Sequence, residues 1–311
     1  MTSLGLMAVL LTLAAAFGFV NRFSFRLPNT IGVLVIALIV SLAAIFAAWL
    51  MPALHLRQMP RNLLGAVNLP SALMNGALSF LLFAGSMHVD LDELWGSKWS
   101  VLALVTAGVL IAVALLTLGL WFVFRIVGRP VPFAWCMVLG TILAPTDPVS
   151  VVGLLKRLGL PPRLQAIFAG ESLLNDGVAV VVFGVALGIA TGRGDVLNTT
   201  GIATIFLTQA VGGGLLGFFT GWIALMMMRR VDEYNLELTI SLALASGTYS
   251  LANALHMSGP IAVVAAGLGM AGRRGQSAMS ETTQAHVLPF WSLIDELLNT
   301  ILFLLIGFEI F

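Results

Sequence analysis

The segment GESLLNDG, residues 170–177, places Glu171, Ser172, Asn175 and Asp176 inside an apolar run, with LQAIF before it and VAVVVFGVALGIA after it. On a helix, Glu171 and Asn175 are i,i+4 neighbours, and so are Ser172 and Asp176, so two adjacent stripes present a hydroxyl, an amide oxygen and two carboxylates. These are hard oxygen ligands, suited to a small hard cation rather than to a soft metal. No His or Cys lies nearby to suggest zinc or iron. A second segment, LGTILAPTDPVSVVGLL (139–155), brackets Thr146 and Asp147 between Pro145 and Pro148. Each proline removes an amide donor and clashes with the preceding turn, and its neighbour is pushed out of helical geometry. The pair predicts a broken helix. Unwound backbone at membrane depth is tolerated only inside protein or beside a water-filled cavity, which is how secondary transporters build ion sites. Thr146 then offers a hydroxyl, and Asp147 a carboxylate or a helix-dipole partner.

The elements that must position these groups are transmembrane helices. The chain has 311 residues, 59% hydrophobic and only 9% charged, with a mean hydropathy of +1.03. A soluble domain carries roughly a quarter charged residues, so this is the composition of an all-α polytopic membrane protein. Ten spans are expected, at about 4–20, 27–51, 71–88, 99–125, 132–154, 162–190, 201–228, 236–255, 259–272 and 287–309. The N-terminus MTSLGLMAVLLTL lacks the basic start of a signal peptide and reads as a retained span. The net charge of +1 gives no nucleic-acid footprint, and the lone Cys136 excludes an internal disulfide. With the N-terminus outside, the inner side collects Arg22, Arg26, Lys98, Lys156, Arg157, Arg163, Arg229, Arg230, Arg273 and Arg274. The outer side collects Arg57, Arg61, Arg125, Arg129 and Arg193. This excess of inner cations favours that orientation. The last span ends at IGFEIF without a polar or basic flank, from which a C-terminally truncated chain is expected.

Of fourteen acidic residues, most fall in connections, such as Asp90, Asp92 and Glu93 between spans three and four, and Asp232, Glu233 and Glu237 between seven and eight. Asp147, Glu171 and Asp176 lie deep within spans. A charge at the bilayer centre costs at least about 2.5–3.5 kcal/mol, so such residues face the bundle interior or water, and an ion or proton path is the default reading. Plainer readings stand beside it. The prolines alone make a kink, Thr146 and Ser172 alone make interhelical hydrogen bonds, and Glu171 alone is a salt-bridge strut. Asp176 resists such a reading, because no basic residue lies within one helical turn of it. Gly213, Gly217 and Gly221 form a small-residue stripe for close helix approach. Asn253 and His256 read as bundle contacts, and Asp295, Glu296 and Asn299 as a possible lining of the last span.

APTDPVSV (144–151) followed by GESLLNDGVAVVVF (170–183) resembles the monovalent cation:proton antiporters, in the branch of the NhaP proteins and the animal Na+/H+ exchangers. SGPIAVVAAGLGMAG (258–272) and FLLIGFE (303–309) support the match, which covers nearly the whole chain. The resemblance implies an inverted-repeat fold of about thirteen spans with a broken helix at the TDP motif, of which about ten are present here. Residues 1–190 would be the first six-span repeat, 191–235 a linker span and 236–311 the incomplete start of the second repeat. It implies that Asp176 binds the cation and exchanges the proton. Thr146, Asp147 and Ser172 would complete or support the site, with Na+ at Asp176, Ser172 and Thr146. Asn175 would be the partner of Asp176 in the Asn-Asp pair, which suggests electroneutral exchange, and Glu171 a structural carboxylate. A homodimer in a bacterial inner membrane is implied, with no cofactor beyond the transported Na+ and H+. One departure is LLFAG (81–85), where Ala84 stands at a position the family often fills with an acid.

The expected function is exchange of Na+, or of Li+ or K+, for H+ by alternating access, not enzyme catalysis. The truncation leads us to expect that this chain by itself does not transport. One rival is a non-transporting scaffold or regulatory remnant of such an antiporter. Another is an intramembrane aspartyl protease using two membrane-embedded aspartates, disfavoured because Asp147 sits between two prolines.

Overall fold

The computed structural model describes residues 3–50, 76–146, 159–192, 204, 207–272, 275 and 279–309. All regular structure among the described residues is helical. In chain order the helices are α1 (Ser3–Ser24), α2 (Asn29–Leu50), α3 (Leu78–Met87), α4 (Leu91–Gly96), α5 (Lys98–Ala103), α6 (Val109–Ile126) and α7 (Phe133–Leu143). They continue with α8 (Pro162–Ala190), α9 (Gly212–Met228), α10 (Tyr234–Ala254), α11 (Gly259–Ala271) and α12 (Glu281–Glu309). A wider π-type turn, Leu104–Gly108, joins α5 to α6, and another, Leu207–Val211, leads into α9.

Each of the ten expected spans contains one of these helices. Six of them, among them Lys98–Ile126 and Pro162–Ala190, are long and apolar enough to cross a membrane unaided. The α10 helix is not among them, because Asn235, Glu237, Ser241, Thr248 and Asn253 lower its hydropathy. The α12 helix begins at Glu281, before the apolar run starting near residue 287. Ser280 explains the early start: its Oγ accepts from the Thr283 N–H at 3.3 Å, capping a polar first turn. Parts of the third, fifth and seventh expected spans fall outside the described residues, as do Arg57, Arg61, Lys156, Arg157, Arg193, Arg273 and Arg274. Large apolar side chains such as Leu115, Phe122 and Phe218 are exposed, as lipid-facing positions require when a helix sits in hydrocarbon rather than water.

The chain divides into two compact units. The first comprises Met1–Leu81 and Phe290–Phe311. Its core is a cluster of Leu6 and Leu10 from α1, Val33 and Ala37 from α2, and Ile301 and Leu304 from α12. Ser41 Oγ donates to the Gly307 carbonyl at 2.9 Å. This close approach exists because residue 307 has no Cβ; one there would strike Ala37.

The second unit, Leu82–Pro289, holds both polar segments singled out above. Here α9 lies along α11 on its glycine stripe. A Cβ at Gly213 would come within 2.8 Å of the Ser258 carbonyl oxygen, and one at Gly221 within 3.1 Å of that of Ala266. At Gly217 it would collide with the Ala262 carbonyl. The small-residue stripe therefore does what its spacing predicts. Thr248 Oγ1 donates to Thr220 Oγ1 at 2.9 Å, linking α10 to α9. The α8 helix is buried by α7 on one side and reaches α11 at Gly177, whose missing side chain leaves room for Ile261.

Candidate ion-binding site

The site begins where α7 stops. Its last helical residue is Leu143, and Pro145 and Thr146 have left helical geometry. The reason is local: proline at 145 supplies no amide for the next turn and biases Ala144 away from continuation. The helix therefore ends ahead of the first proline, as the sequence predicts. Asp147 and Pro148 lie outside the described residues.

The α8 helix starts on Pro161 and Pro162, with proline in the first turn where its missing amide costs nothing. Residues 162–190 then run without interruption, about 43 Å at 1.5 Å per residue, so GESLLNDG sits near the middle of a membrane-length helix. Its register turns Gly170, Ser172, Leu173, Asn175 and Gly177 inward.

Three polar side chains of α8 close on Thr146. Ser172 Oγ donates to the Thr146 backbone carbonyl. Asn175 Nδ2 donates to Thr146 Oγ1 at 2.9 Å and to Glu171 Oε1 at 3.0 Å. Thr146 Oγ1 in turn donates to Glu171 Oε2 at 3.4 Å. Ser172 and Asn175 are buried, 2% and 1% exposed, while Glu171 and Asp176 are half-buried. Asp176 is engaged in an interaction of its own.

This network fixes the amide of Asn175. Both partners of its nitrogen are acceptors toward it, so the nitrogen must face Glu171 and Thr146. The amide oxygen, Oδ1, then points elsewhere. It is buried and has no hydrogen-bond partner among the described residues. A buried acceptor left unpaired is costly, and in a native structure it calls for a donor or a cation. The arrangement thus offers, around one end of a broken helix, the Asn175 amide oxygen, the Ser172 hydroxyl, the Thr146 carbonyl and hydroxyl oxygens, and the neighbouring carboxylate of Asp176.

Thr146, Glu171, Ser172 and Asn175, four of the residues picked out in the sequence, are therefore brought together, with Asp176 adjacent on the same helix. Ala84 is fully buried in α3, a short helix joined to α8 through Gly85, where an added Cβ would come within 3.4 Å of Leu173. Asp295, Glu296 and Asn299 lie in the other unit, where Asn299 Nδ2 donates to Asp295 Oδ1 at 3.0 Å and Asn29 Nδ2 to Glu296 Oε1 at 3.3 Å. One buried carboxylate escaped the sequence reading, which placed Glu237 in a connection. In the structure it is fully buried on α10. Its register with Ser241, Leu244 and Thr248, all buried, is the signal that marks it as inward-facing.

Fold and site together define an integral membrane protein whose polar core is built where one helix stops against the middle of another. A model of the sodium/hydrogen exchanger transmembrane family matches residues 8–311, and the chain belongs to that family. It is 40% identical over 308 residues to the Na(+)/H(+) antiporter NhaP of Pseudomonas aeruginosa, covering 99% of this chain and 72% of that protein. It is 30% identical over 236 residues to the Na(+)/H(+) antiporter NhaH of Halobacillus dabanensis. There the match covers 75% of this chain, and it spans little more than half, 57%, of that relative. The solved structure of the sodium proton antiporter MjNhaP1 from Methanocaldococcus jannaschii superposes with a TM-score of 0.68 at 21% identity, over 98% of this chain and 71% of that one. At that identity the likeness is one of fold.

Proposed function

We propose that the protein exchanges Na+ for H+ across a membrane, with the cation and the proton competing for the carboxylate of Asp176. The observation that carries this reading is the buried Oδ1 of Asn175, which has no hydrogen-bond partner among the described residues and belongs to the residue next to Asp176 on α8. An oxygen in that position lowers the free energy of a bare cation without adding a second negative charge. Family membership and the names of the relatives support the same ion pair.

The residues divide the work. Asp176 carries either a proton or the cation, so each displaces the other. Asn175 and Ser172 supply neutral oxygens, and Ser172 holds Thr146 in place beside them. Asp147 is the further carboxylate of this proposed set. Glu171 accepts from Asn175 and Thr146 and so orients the donors instead of meeting the cation itself. One cation against one proton at a single ionisable group gives electroneutral exchange. Coupling requires that the loaded site change its access while the empty, charged site does not. A homodimer, a bacterial inner membrane and an N-terminus outside belong to the same proposal, as does the division into a first repeat (1–190), a linker (191–235) and a partial second repeat (236–311).

The test is Na+-induced collapse of an imposed pH gradient in proteoliposomes that contain the protein. Asp176→Asn is expected to abolish the response. Normal proton-coupled Na+ flux in that variant removes the mechanism. A folded wild-type protein that responds to neither Na+, Li+ nor K+ supports instead a non-transporting scaffold.

A further inference from the structure

Glu237 is 0% exposed, in the first turns of α10, and its two carboxylate oxygens are treated differently. Oε1 accepts from Thr283 Oγ1 at 3.2 Å. Oε2 is buried and has no hydrogen-bond partner among the described residues. Thr283 is itself buried and sits in the first turn of α12, where Ser280 Oγ donates to its hydroxyl at 3.2 Å. The Thr283 hydroxyl therefore gives its single proton to Glu237 and accepts from Ser280. One helical turn earlier on α10 and one turn later on α12, the rings of Tyr234 and His286 stack at 4.5 Å and 22°. The starts of α10 and α12 thus meet through one ring stack and one hydroxyl-to-carboxyl hydrogen bond.

Among the described residues, the surroundings do not neutralise a negative charge on this group; Arg273 and Arg274, in the connection leading to α12, lie outside them. The α9 and α11 helices contribute no charged residue. The connection between α9 and α10 carries Arg229 and Arg230, both exposed, and Asp232 and Glu233. In the first turns of α12 the titratable groups are Glu281 and His286, and the His286 Nδ1 is already paired with the Thr282 carbonyl at 2.7 Å. An ionised carboxylate with one oxygen buried and undonated is among the costliest arrangements in a folded protein. A metal ion would need several oxygens, and the polar partner found here, the Thr283 hydroxyl, is used in two hydrogen bonds. A proton needs none of this: it removes the charge and turns Oε2 from an orphan acceptor into a hydroxyl.

We propose that Glu237 is a proton-binding site separate from Asp176, and that its protonated form seats the start of α12 against the start of α10. Loss of that proton leaves a charged, half-satisfied group between the two helix starts, and the seat opens. The device would set how firmly α12 begins, according to pH.

The test needs no transport, so its failure is distinct from failure of the antiport reading. The purified protein in lipid nanodiscs is examined by infrared spectroscopy and by hydrogen exchange across a pH series. A carbonyl-stretch band of a protonated carboxyl group, present in wild type and missing in Glu237→Gln, is expected. As that band titrates away with rising pH, amide protection over 281–287 falls by roughly tenfold, the scale of one lost buried hydrogen bond. Glu237→Gln, a neutral mimic, keeps the protection at every pH. Thr283→Val, which removes the donor and spares the shape, lacks the protection throughout. An infrared spectrum unchanged by Glu237→Gln overturns the proposal. So does a Glu237→Gln protein with the low protection of Thr283→Val, or a pH-dependent loss that survives in Thr283→Val.

Discussion

Ser172→Ala is the smallest change that reaches the core of the candidate site. It removes one oxygen, keeps the helix, and leaves the Thr146 carbonyl without its donor. A buried acceptor stripped of its partner costs about 1–3 kcal/mol. Thr146 is exposed, so water partly replaces the lost hydroxyl, and the lower part of that range, about 1–2 kcal/mol, applies. At 1.4 kcal/mol per tenfold, the cation concentration giving half-maximal flux should rise roughly 5- to 30-fold. The ion also loses a neutral ligand, which acts in the same direction. The assay is the Na+ dependence of pH-gradient collapse in proteoliposomes at matched protein content. Ser241→Ala is the control: its hydroxyl is just as buried but donates to the Leu238 carbonyl of its own helix, away from the site. A Ser172→Ala protein within twofold of wild type, or one no more affected than Ser241→Ala, would refute the reasoning that the Ser172–Thr146 contact holds the site together.

Two further changes test the packing and the topology. Gly217→Ala forces a methyl within 2.9 Å of Ala265 Cβ and onto the Ala262 carbonyl, and should destabilise the protein by about 1–3 kcal/mol. Gly247→Ala, with nothing within 4 Å, should be neutral or gain up to about 1 kcal/mol from helix propensity; thermal unfolding in detergent separates the two. Because Cys136 is buried, a thiol introduced by Arg230→Cys should be labelled by an impermeant reagent only from the cytoplasmic side of oriented vesicles. Labelling from outside alone would reverse the proposed orientation.

Much of this protein is legible without coordinates. Hydropathy marks the helices, because hydrocarbon tolerates little else, and the 3.6-residue period alone brings Glu171 and Asn175 into the hydrogen bond seen at 3.0 Å. The prolines at 145 and 148 announce a break, and α7 stops two residues before the first of them. The stripe Gly213, Gly217, Gly221 announces a close helix contact, though not its partner, which is α11. The local rules say nothing about which loop end meets which helix face.

Tertiary structure decides that meeting. Thr146 is distant in sequence from Ser172 and Asn175, and no local periodicity relates a residue beyond one helix to the middle of another. Only the packing of α7 on α8 makes the carbonyl, the hydroxyl and the amide a single network, and only that network dictates which atom of Asn175 is left unpaired. Glu237 shows the same division. By sequence it belongs to a charged connection, but α12 starting at Glu281 covers it and changes a solvated acid into a buried one. Burial depends on what neighbouring helices cover, so the sequence determines which groups are present and along which helix, while their solvation and partners are set by the packing.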